Sequence, residues 1–276
     1  MSDGSGSIAL YDGKCGCGAL SATFFVTAVV GLSFEAQIAA GPGVRVLCRG
    51  AEGLLAAALE HHMIPHCLGV ISFGIAGGLM PHLRPGSVVV ASGVADDGAL
   101  HRTDETWSNL LLDALPGARH AVIAGSNSPV AGTTVKQAIH QETGAIAVDM
   151  ESHLAARLAA QCGLPFAAVR VIADPAHRDV PGAALAGLGP DGKADGLAVL
   201  RALAAAPSQT PLLMRVAVDV AIARAALFRS RQLLGRRFGI APDGHEIPRG
   251  IEEALAPAEA VAEPAPLPPL LAPRFG

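Results

Sequence analysis

Three acidic residues directly follow apolar segments predicted to be β-strands, and acid–base chemistry is the chemistry they suit. Glu35 follows the first such segment, Glu151 follows 145–149, and Asp174 follows 166–172. The stretch between the last two has the length of a right-handed βαβ crossover. Because ligands bind at the carboxyl ends of parallel strands, we expect the three side chains to face one cleft. Each acid alone also has a purely structural explanation, because acids are common in the first turn of a helix and at the start of a turn.

A glycine-rich segment follows the strand predicted at 67–73 and is expected to form a turn at the same cleft. It reads Gly74-Ile75-Ala76-Gly77-Gly78-Leu79. The segment lacks the G-x-G-x-x-G order of a dinucleotide-binding turn and leaves no room for a phosphate-binding helix. The chain also has no G-x-S-x-G and no G-x-x-x-x-G-K-[ST] motif, so neither a serine-hydrolase elbow nor a P-loop is supported.

The elements that must position these residues alternate between short apolar runs and longer helical segments. Strands are predicted at 23–31, 44–48, 67–73, 87–94, 120–124, 145–149 and 166–172. Helices are predicted at 51–61, 104–115, 133–143, 151–162 and 194–205. Strands that are apolar throughout are buried on both faces, and alternation with helices indicates a parallel sheet. The pattern predicts a three-layer α/β sandwich with a central mixed, largely parallel sheet.

Composition divides the 276-residue chain into a loose segment at 1–22, one α/β domain at 23–240 and a Pro-rich, disordered tail at 241–276. The tail holds six acids and two arginines, so it carries the whole net charge of −4. The neutral domain therefore lacks the excess positive charge that a nucleic-acid binder needs. The hydrophobic content of 51% excludes bulk disorder. The apolar run at 24–32 is too short to span a bilayer and is expected to be a buried strand.

The five cysteines are an odd number, which fits reduced thiols in the cytoplasm better than a disulfide framework. Cys15 and Cys17 form a C-x-C pair, but no neighbouring residues complete a four-ligand set. The sequence therefore predicts no metal site.

The last predicted helix, 211–238, is longer than the others and differs from them in character. At 100° per residue its apolar side chains form one stripe, which comprises Val216, Val220, Ala223, Leu227, Leu234 and Phe238. The helix carries one acidic residue and six arginines. The arginines are Arg215, Arg224, Arg229, Arg231, Arg236 and Arg237. Such a helix can lie on an anionic membrane. The spacing favours the alternative, in which the stripe packs on the domain and the arginines face solvent.

Three ordered motifs resemble the nucleoside phosphorylase superfamily, on the side of the methylthioadenosine/S-adenosylhomocysteine nucleosidases. They are Phe73-Gly74-Ile75-Ala76-Gly77-Gly78-Leu79, Val148-Asp149-Met150-Glu151-Ser152 and Val169-Arg170-Val171-Ile172-Ala173-Asp174. The resemblance covers roughly residues 23–238. The start, Val30-Gly31-Leu32-Ser33-Phe34-Glu35-Ala36, and the Arg-rich helix are more similar to the hopanoid-associated phosphorylase subgroup.

The resemblance implies cleavage of the N-glycosidic bond between a purine and ribose, without a cofactor and with water or phosphate as co-substrate. In that reaction Asp174 protonates the leaving base, Glu151 binds the ribose, and Glu35 orients and deprotonates water. The implied substrate-binding residues are Met150, Arg170, Ser126, Asn127 and, through backbone amides, Ile75, Ala76 and Gly77. Desolvation can hold a carboxyl group such as Asp174 protonated. A homo-oligomer is also implied.

Two departures from the phosphorolytic branch favour water as the nucleophile. The glycine segment lacks the R-x-G-S order that binds phosphate, and Glu35 stands where that branch has an arginine. A carboxylate there repels phosphate. The segment Gly125-Ser126-Asn127-Ser128-Pro129 also lacks the aromatic residue that nucleosidases often stack on the purine.

We therefore predict an enzyme that releases adenine from adenosylhopane to give ribosylhopane or its 1-phosphate. It is expected in the cytoplasm without a nucleic-acid partner, and the last helix leaves peripheral contact with an anionic membrane open. Two alternatives remain: a soluble methylthioadenosine/S-adenosylhomocysteine nucleosidase or purine nucleoside phosphorylase, and a non-catalytic nucleoside-binding module at the membrane.

Overall fold

The structure, a computed structural model, describes residues 24–48, 66–186, 201–202 and 204–241. Several predictions concern residues outside this set. They are the loose segment 1–22 with Cys15 and Cys17, the helix 51–61, most of the helix 194–205, and the tail beyond residue 241.

Eight strands of the described residues pair into one sheet. They are β1 (Phe25–Val30), β2 (Val44–Cys48), β3 (Cys67–Gly78), β4 (Val88–Asp96), β5 (Ala99–Arg102), β6 (Arg119–Gly125), β7 (Ala147–Asp149) and β8 (Phe166–Asp174). β1 is buried along its whole length, and β8 is buried up to its last residue. The first apolar run is thus the buried strand that the sequence predicted.

The helices of the described residues are α1 (Ser33–Ala39), α2 (Glu105–Ala114), α3 (Thr133–Thr143), α4 (Ser152–Gln161), α5 (Gly182–Ala186) and α6 (Thr210–Leu234). α3 coincides with its predicted segment, and α2 and α4 differ from theirs by one residue at each end. Asp104 begins α2 by accepting the backbone N–H of Trp107 over 2.7 Å. The short elements α1, α5 and β5 were not predicted.

Helices cover both faces of the sheet, which confirms the three-layer α/β architecture. On one face, Ala155 and Leu158 of α4 belong to a core that contains Ile172 of β8. On the other face, Trp107 of α2 and Leu227 of α6 lie in a second core that contains Val169 of β8. Burial on both faces is the reason that the strands are apolar throughout rather than alternating.

The sheet is mixed and largely parallel, as predicted, and part of it closes on itself. Five pairings are parallel, and those of β3 with β7, β4 with β5 and β4 with β8 are antiparallel. Because β8 joins β3 to β4, the strands β3, β7, β6, β4 and β8 form a closed ring. This ring brings the carboxyl ends of β3, β7 and β8 close together.

The ring corrects the expected βαβ crossover between β7 and β8. β7 pairs with the end of β3 in the antiparallel sense, whereas β8 runs parallel to β3 along most of its length. The helix α4 therefore does not join two parallel strands. Closure of the ring, rather than a crossover, brings the residues after β7 and β8 together.

β3 continues through the glycine-rich segment that was predicted to be a turn. The strand spans Cys67–Gly78, and its last two residues pair with β7. The predicted strand end at Phe73 was wrong because these glycines serve close packing: a Cβ at Gly74 would overlap the side chains of Glu35 and Arg170. A strand glycine often marks such a close approach.

The last helix, α6, packs on the domain through the predicted apolar stripe. Ala223, Leu227, Leu234 and Phe238 are all buried. The helix ends at Leu234 because Gly235 adopts a positive φ of 59°, and a 3₁₀ turn follows. In the part of the chain that the structure describes, no helix is both long and apolar enough to cross a membrane.

Candidate functional site

A cavity of about 270 Å³ lies where β1, β3, β7 and β8 end. The carboxyl-bearing residues Glu35, Glu151 and Asp174 all line it. Another wall is apolar and comes from the α5–α6 side of the molecule, and it comprises Val180, Ala184, Leu185, Val216 and Val220. The volume is close to the lower end of the range for small-molecule sites, so the cavity suits a ligand of nucleoside size.

Glu35 is held by backbone amides from two separate elements. Its Oε2 accepts the N–H groups of Gly31 and Leu32, each over 2.9 Å, and its Oε1 accepts the N–H of Ile75 over 2.7 Å. A carboxylate offers about four lone-pair positions, so these contacts leave room for a further donor such as water. Burial raises the pKa of Glu35, and Arg170 and the three amides oppose that rise.

The amide of Ile75 corrects one prediction. The backbone amides of Ile75, Ala76 and Gly77 were expected to bind ligand, but the amide of Ile75 donates to Glu35 instead. The reason is that β3 does not leave the sheet at this point. All three residues line the cavity as strand backbone, and Ile75 positions Glu35.

Beneath the cavity, Arg170 of β8 is fully buried in a polar cluster. Its Nε lies 2.9 Å from Asp149 Oδ2, and the guanidinium also donates to the hydroxyls of Ser72 and Ser152. Asp149 in turn accepts the N–H of Glu151 over 2.7 Å. Buried charges are tolerated when they are paired and hydrogen-bonded in this way. Arg170 therefore supports the loop after β7 and does not line the cavity.

Glu151 lies over this cluster at the edge of the cavity. Its Oε2 is 3.8 Å from the nearer terminal nitrogen of Arg170, and its side chain is 14% exposed. A Cβ at Gly31 would overlap the Glu151 carboxylate, so the glycine after β1 makes space for this acid. Met150 also lines the cavity.

Asp174 ends β8 and pairs with a lysine that the sequence did not single out. Lys136 Nζ donates to Asp174 Oδ1 over 2.7 Å, and the lysine side chain is fully buried whereas that of Asp174 is 21% exposed. Burial raises the pKa of Asp174, and the hydrogen bond and charge of Lys136 oppose the effect. The net rise favours the protonated acid that proton donation requires.

The segment after β6 contains Ser126 and Asn127. Ser126 lines the cavity, and its hydroxyl donates to the carbonyl of Ser128 over 2.7 Å. Asn127 points instead to His153, whose Nε2 lies 3.1 Å from Asn127 Oδ1. The side chain of His153 is buried, and burial lowers its pKa.

Of the residues predicted to form the site, eight line the cavity and two do not. Those at the cavity are Glu35, Ile75, Ala76, Gly77, Ser126, Met150, Glu151 and Asp174. Arg170 and Asn127 are the exceptions, because each is engaged by a buried partner, Asp149 or His153. The chemical roles of all ten residues remain predictions.

Sequence reasoning missed Lys136 and gave no role to Asp149. Asp149 was detectable, because it is an acid at a strand end like the three that were chosen. Lys136 had a weaker signal: it lies on the same helical face as Ile139 and Thr143, where a lysine is unexpected. The apolar wall was missed because it depends on how α6 packs across the sheet.

The cavity has the composition of an acid–base site for a neutral, partly apolar ligand. Two carboxyl groups with raised pKa, Glu35 and Asp174, lie on its wall. Within the described residues, no group of three or more His, Cys, Asp or Glu side chains could hold a metal ion.

Comparisons with solved structures found similar folds at low identity. Methylthioadenosine/S-adenosylhomocysteine nucleosidase from S. pneumoniae is 16% identical with a TM-score of 0.52, over 79% of this chain and 100% of that chain. The Helicobacter pylori nucleosidase of the same name is 16% identical with a TM-score of 0.52, over 76% and 98%. Helicobacter pylori futalosine hydrolase is 15% identical with a TM-score of 0.51, over 76% and 97%. These likenesses establish the fold.

No curated protein matched the chain. The family model described as "Phosphorylase superfamily" matches residues 27–187, which is more than half of the chain. The match includes Glu35, Glu151 and Asp174, and it confirms the superfamily that the three sequence motifs indicated. The chain therefore belongs to the Phosphorylase superfamily, which is a superfamily of enzymes.

Proposed function

We propose that this protein hydrolyses the N-glycosidic bond of a 5′-substituted adenosine and releases adenine. The observation that carries the proposal is the lining of one cavity by three acids, Glu35, Glu151 and Asp174. The fold shared with enzymes named as methylthioadenosine/S-adenosylhomocysteine nucleosidases gives independent support.

The acid step is assigned to Asp174. A purine anion is a poor leaving group, so a proton must reach the ring, at N7 for adenine, as the bond from C1′ to N9 breaks. The electron pair of that bond remains on the base. Burial keeps the pKa of Asp174 above its ordinary value, which holds the acid ready to donate.

Glu151 is assigned to the ribosyl group. As the base leaves, the sugar develops positive charge like an oxocarbenium ion, and a carboxylate hydrogen-bonded to its hydroxyls stabilises that charge. The contact of Glu151 with buried Arg170 supports the ionised form. Met150 then lies against the sugar.

Water is the proposed nucleophile, with Glu35 as its base. Water adds to C1′ and loses a proton to the Glu35 carboxylate, so that the products are adenine and the free 5′-substituted ribose. Phosphate would meet the carboxyl groups of both Glu35 and Glu151, and like charges repel at this range. The cationic Arg170 and Lys136 lie behind the wall and already pair with Asp149 and Asp174.

The 5′ substituent is assigned to the apolar wall. Leu185 of α5 and Val216 and Val220 of α6 offer hydrocarbon and no charge. The cavity is too small for a nucleoside and a large hydrocarbon together, so the proposal requires a bulky 5′ group to extend out of the cavity from this wall. A hopane fits this description, and the sequence resemblance to the hopanoid-associated subgroup points to adenosylhopane.

The outer face of α6 supports peripheral contact with an anionic membrane. Met214, Val218 and Phe228 are 62%, 56% and 53% exposed, on the side of the helix opposite buried Ala223 and Leu227. Exposed arginines flank them, and these are Arg215, Arg224 and Arg229. The acid of this helix, Asp219, is paired with Arg178. A helix that presents cations and apolar side chains together suits a lipid surface.

A soluble methylthioadenosine/S-adenosylhomocysteine nucleosidase is the second candidate. It is favoured by the cavity volume, which suits a small 5′ group, and by the names of the structural neighbours. Under this candidate the apolar wall contacts a thioether, and the outer face of α6 covers a second copy of the chain rather than lipid. We also expect a homo-oligomer, which light scattering of the purified protein tests.

The test is base release measured by chromatography with three substrates: adenosylhopane in anionic vesicles, methylthioadenosine and S-adenosylhomocysteine. Each is assayed with and without phosphate. We expect adenine from adenosylhopane at a rate independent of phosphate. Adenine from the soluble nucleosides alone would identify the second candidate, and binding of all three without release would identify a non-catalytic module. Formation of ribosylhopane 1-phosphate would overturn the assignment of water.

A further inference from the structure

Lys136 of α3 is fully buried and has a complete set of partners. Its Nζ donates to Asp174 Oδ1 over 2.7 Å, to the carbonyl of Pro175 over 3.1 Å and to the carbonyl of Arg178 over 2.8 Å. These three acceptors match the three N–H groups of an ammonium ion. The lysine therefore ties α3 to the end of β8 and to the segment that follows it.

We propose that Lys136 is a positioning residue for proton delivery, which holds Oδ1 of Asp174 so that Oδ2 faces the leaving base and carries the transferred proton. The inference rests on the proposed N-glycosidic cleavage. Oδ2 lies 3.1 Å from the position that a Cβ would take at Gly77, and Gly77 lines the cavity. Anchoring one oxygen of a carboxyl group fixes the direction of the other.

The charge of Lys136 also acts on the step itself. When the proton passes from Oδ2 to the base, a carboxylate forms 2.7 Å from the ammonium group, which stabilises the product of the transfer. The other charged groups that face Asp174 are Arg178, from the segment after β8, and Asp219, from α6. Those two pair with each other, so Lys136 is the cation in direct contact with the acid.

Two variants separate the charge from the hydrogen bonds. Lys136→Met removes both, and Lys136→Gln keeps two N–H donors without the charge. Gln137→Met, at an exposed neighbouring position, is the control. We expect Lys136→Met to lower kcat for adenine release about a hundredfold with little change in KM. Lys136→Gln should lose less, and the control nothing.

The pH profile distinguishes positioning from a purely structural role. Asp174 acts in its protonated form, so activity falls as the pH rises through its pKa. Loss of the ammonium group raises that pKa further, and the basic limb of kcat should move upward by about one pH unit or more in both variants. An unmoved limb, with kcat reduced only in proportion to the folded fraction by circular dichroism, overturns the proposal. If Lys136→Met does not fold, Lys136→Gln decides by the same criterion.

A direct measurement keeps this inference separate from the proposed function. The carboxyl carbon of Asp174 is titrated by ¹³C NMR, with its signal assigned by its loss in Asp174→Asn. We expect a higher midpoint in Lys136→Gln than in the unaltered protein, and equal midpoints contradict the inference. If the unaltered protein releases no base from any substrate, the proposed function fails whichever way this titration comes out.

Discussion

The two sides of the cavity are built in opposite ways. At the strand ends, Arg170, Asp149 and Glu35 are buried and engaged by several partners each, so their positions are fixed from more than one element. On the α6 side, Val216 and Val220 line the cavity with apolar contacts alone, and the same helix exposes hydrophobic residues to solvent. Under the proposed function, this difference assigns the chemistry to the strand ends and the selection of the substrate and its surroundings to α6.

The largest effect is expected at the strand ends, from Asp174→Asn. The amide cannot donate a proton to the base as the acid does, so kcat for adenine release should fall about a thousandfold. Binding of a non-hydrolysable nucleoside analogue, measured by calorimetry, should persist, because the cavity wall is otherwise unchanged. A variant that retains full activity would remove Asp174 from the mechanism. Equal binding with no activity in either protein would favour the non-catalytic alternative.

Glu35→Gln should reduce kcat about a hundredfold. The amide loses the base that accepts the proton of water. The side-chain NH₂ group of the introduced glutamine would also face a backbone N–H donor in either orientation of the amide, whereas both oxygens of Glu35 are acceptors. That donor is the N–H of Ile75 in one orientation and the N–H groups of Gly31 and Leu32 in the other. Thermal unfolding measured beside the assay separates this local cost from the chemical one. A rate that is unchanged in a folded variant would contradict the role of Glu35.

The pH profile of kcat/KM should be bell-shaped, and both of its limbs should lie at higher pH than carboxyl groups with ordinary pKa values would give. Glu35 acts as the carboxylate, and burial raises its pKa, so the acidic limb should lie above the range of an ordinary glutamate. Asp174 acts as the protonated acid, and burial also raises its pKa, so activity should persist above the range of an ordinary aspartate. In Asp174→Asn the residual activity should lose its basic limb. A profile that is flat from acid to neutral pH would contradict both assignments.

The sequence predicted the strand ends well because their signals are local. Apolar runs buried on both faces mark β1 and β8, and the acids after them are visible without knowledge of strand order. The predicted convergence of Glu151 and Asp174 on one cleft holds, although ring closure rather than a crossover produces it. Ring closure depends on β8 pairing with both β3 and β4, and such long-range pairing leaves no mark in the local pattern.

The parts that were not predicted depend on contacts between distant segments. The glycines of β3 resembled a turn because the sequence does not reveal that Glu35 and Arg170 occupy the space beside Gly74. Lys136 lies 38 positions before the aspartate that it contacts. The sequence correctly predicted that an apolar stripe of α6 packs on the domain. The cavity wall formed by Val216 and Val220 was not predictable in this way, because it depends on the position of the helix over the strand ends.

On the α6 side, Val220→Asn should change selectivity rather than chemistry. A polar amide in the apolar wall should lower kcat/KM for adenosylhopane about tenfold and affect methylthioadenosine less, because the small group buries less apolar surface. Val218→Asn, two residues along and exposed, is the matched control and should leave both substrates unaffected in detergent. Equal losses for the two substrates in Val220→Asn would mean that the wall does not contact the 5′ group.

The smallest effect is expected on the outer face of α6, where a single cation is removed. Arg229→Gln should weaken binding to anionic vesicles about fivefold, since each basic residue near a charged bilayer contributes about 1 kcal/mol. Arg102→Gln, on β5, removes the same charge from an exposed position outside this helix and is the control. Flotation should distinguish the two variants at low salt and converge at high salt, where the charge is screened. Cleavage of soluble methylthioadenosine should be the same in both, because Arg229 lies outside the cavity wall. Equal flotation of the two variants would assign the exposed face of α6 to a protein partner, most simply a second copy of the chain. The concentration dependence of the oligomeric state would then test that assignment.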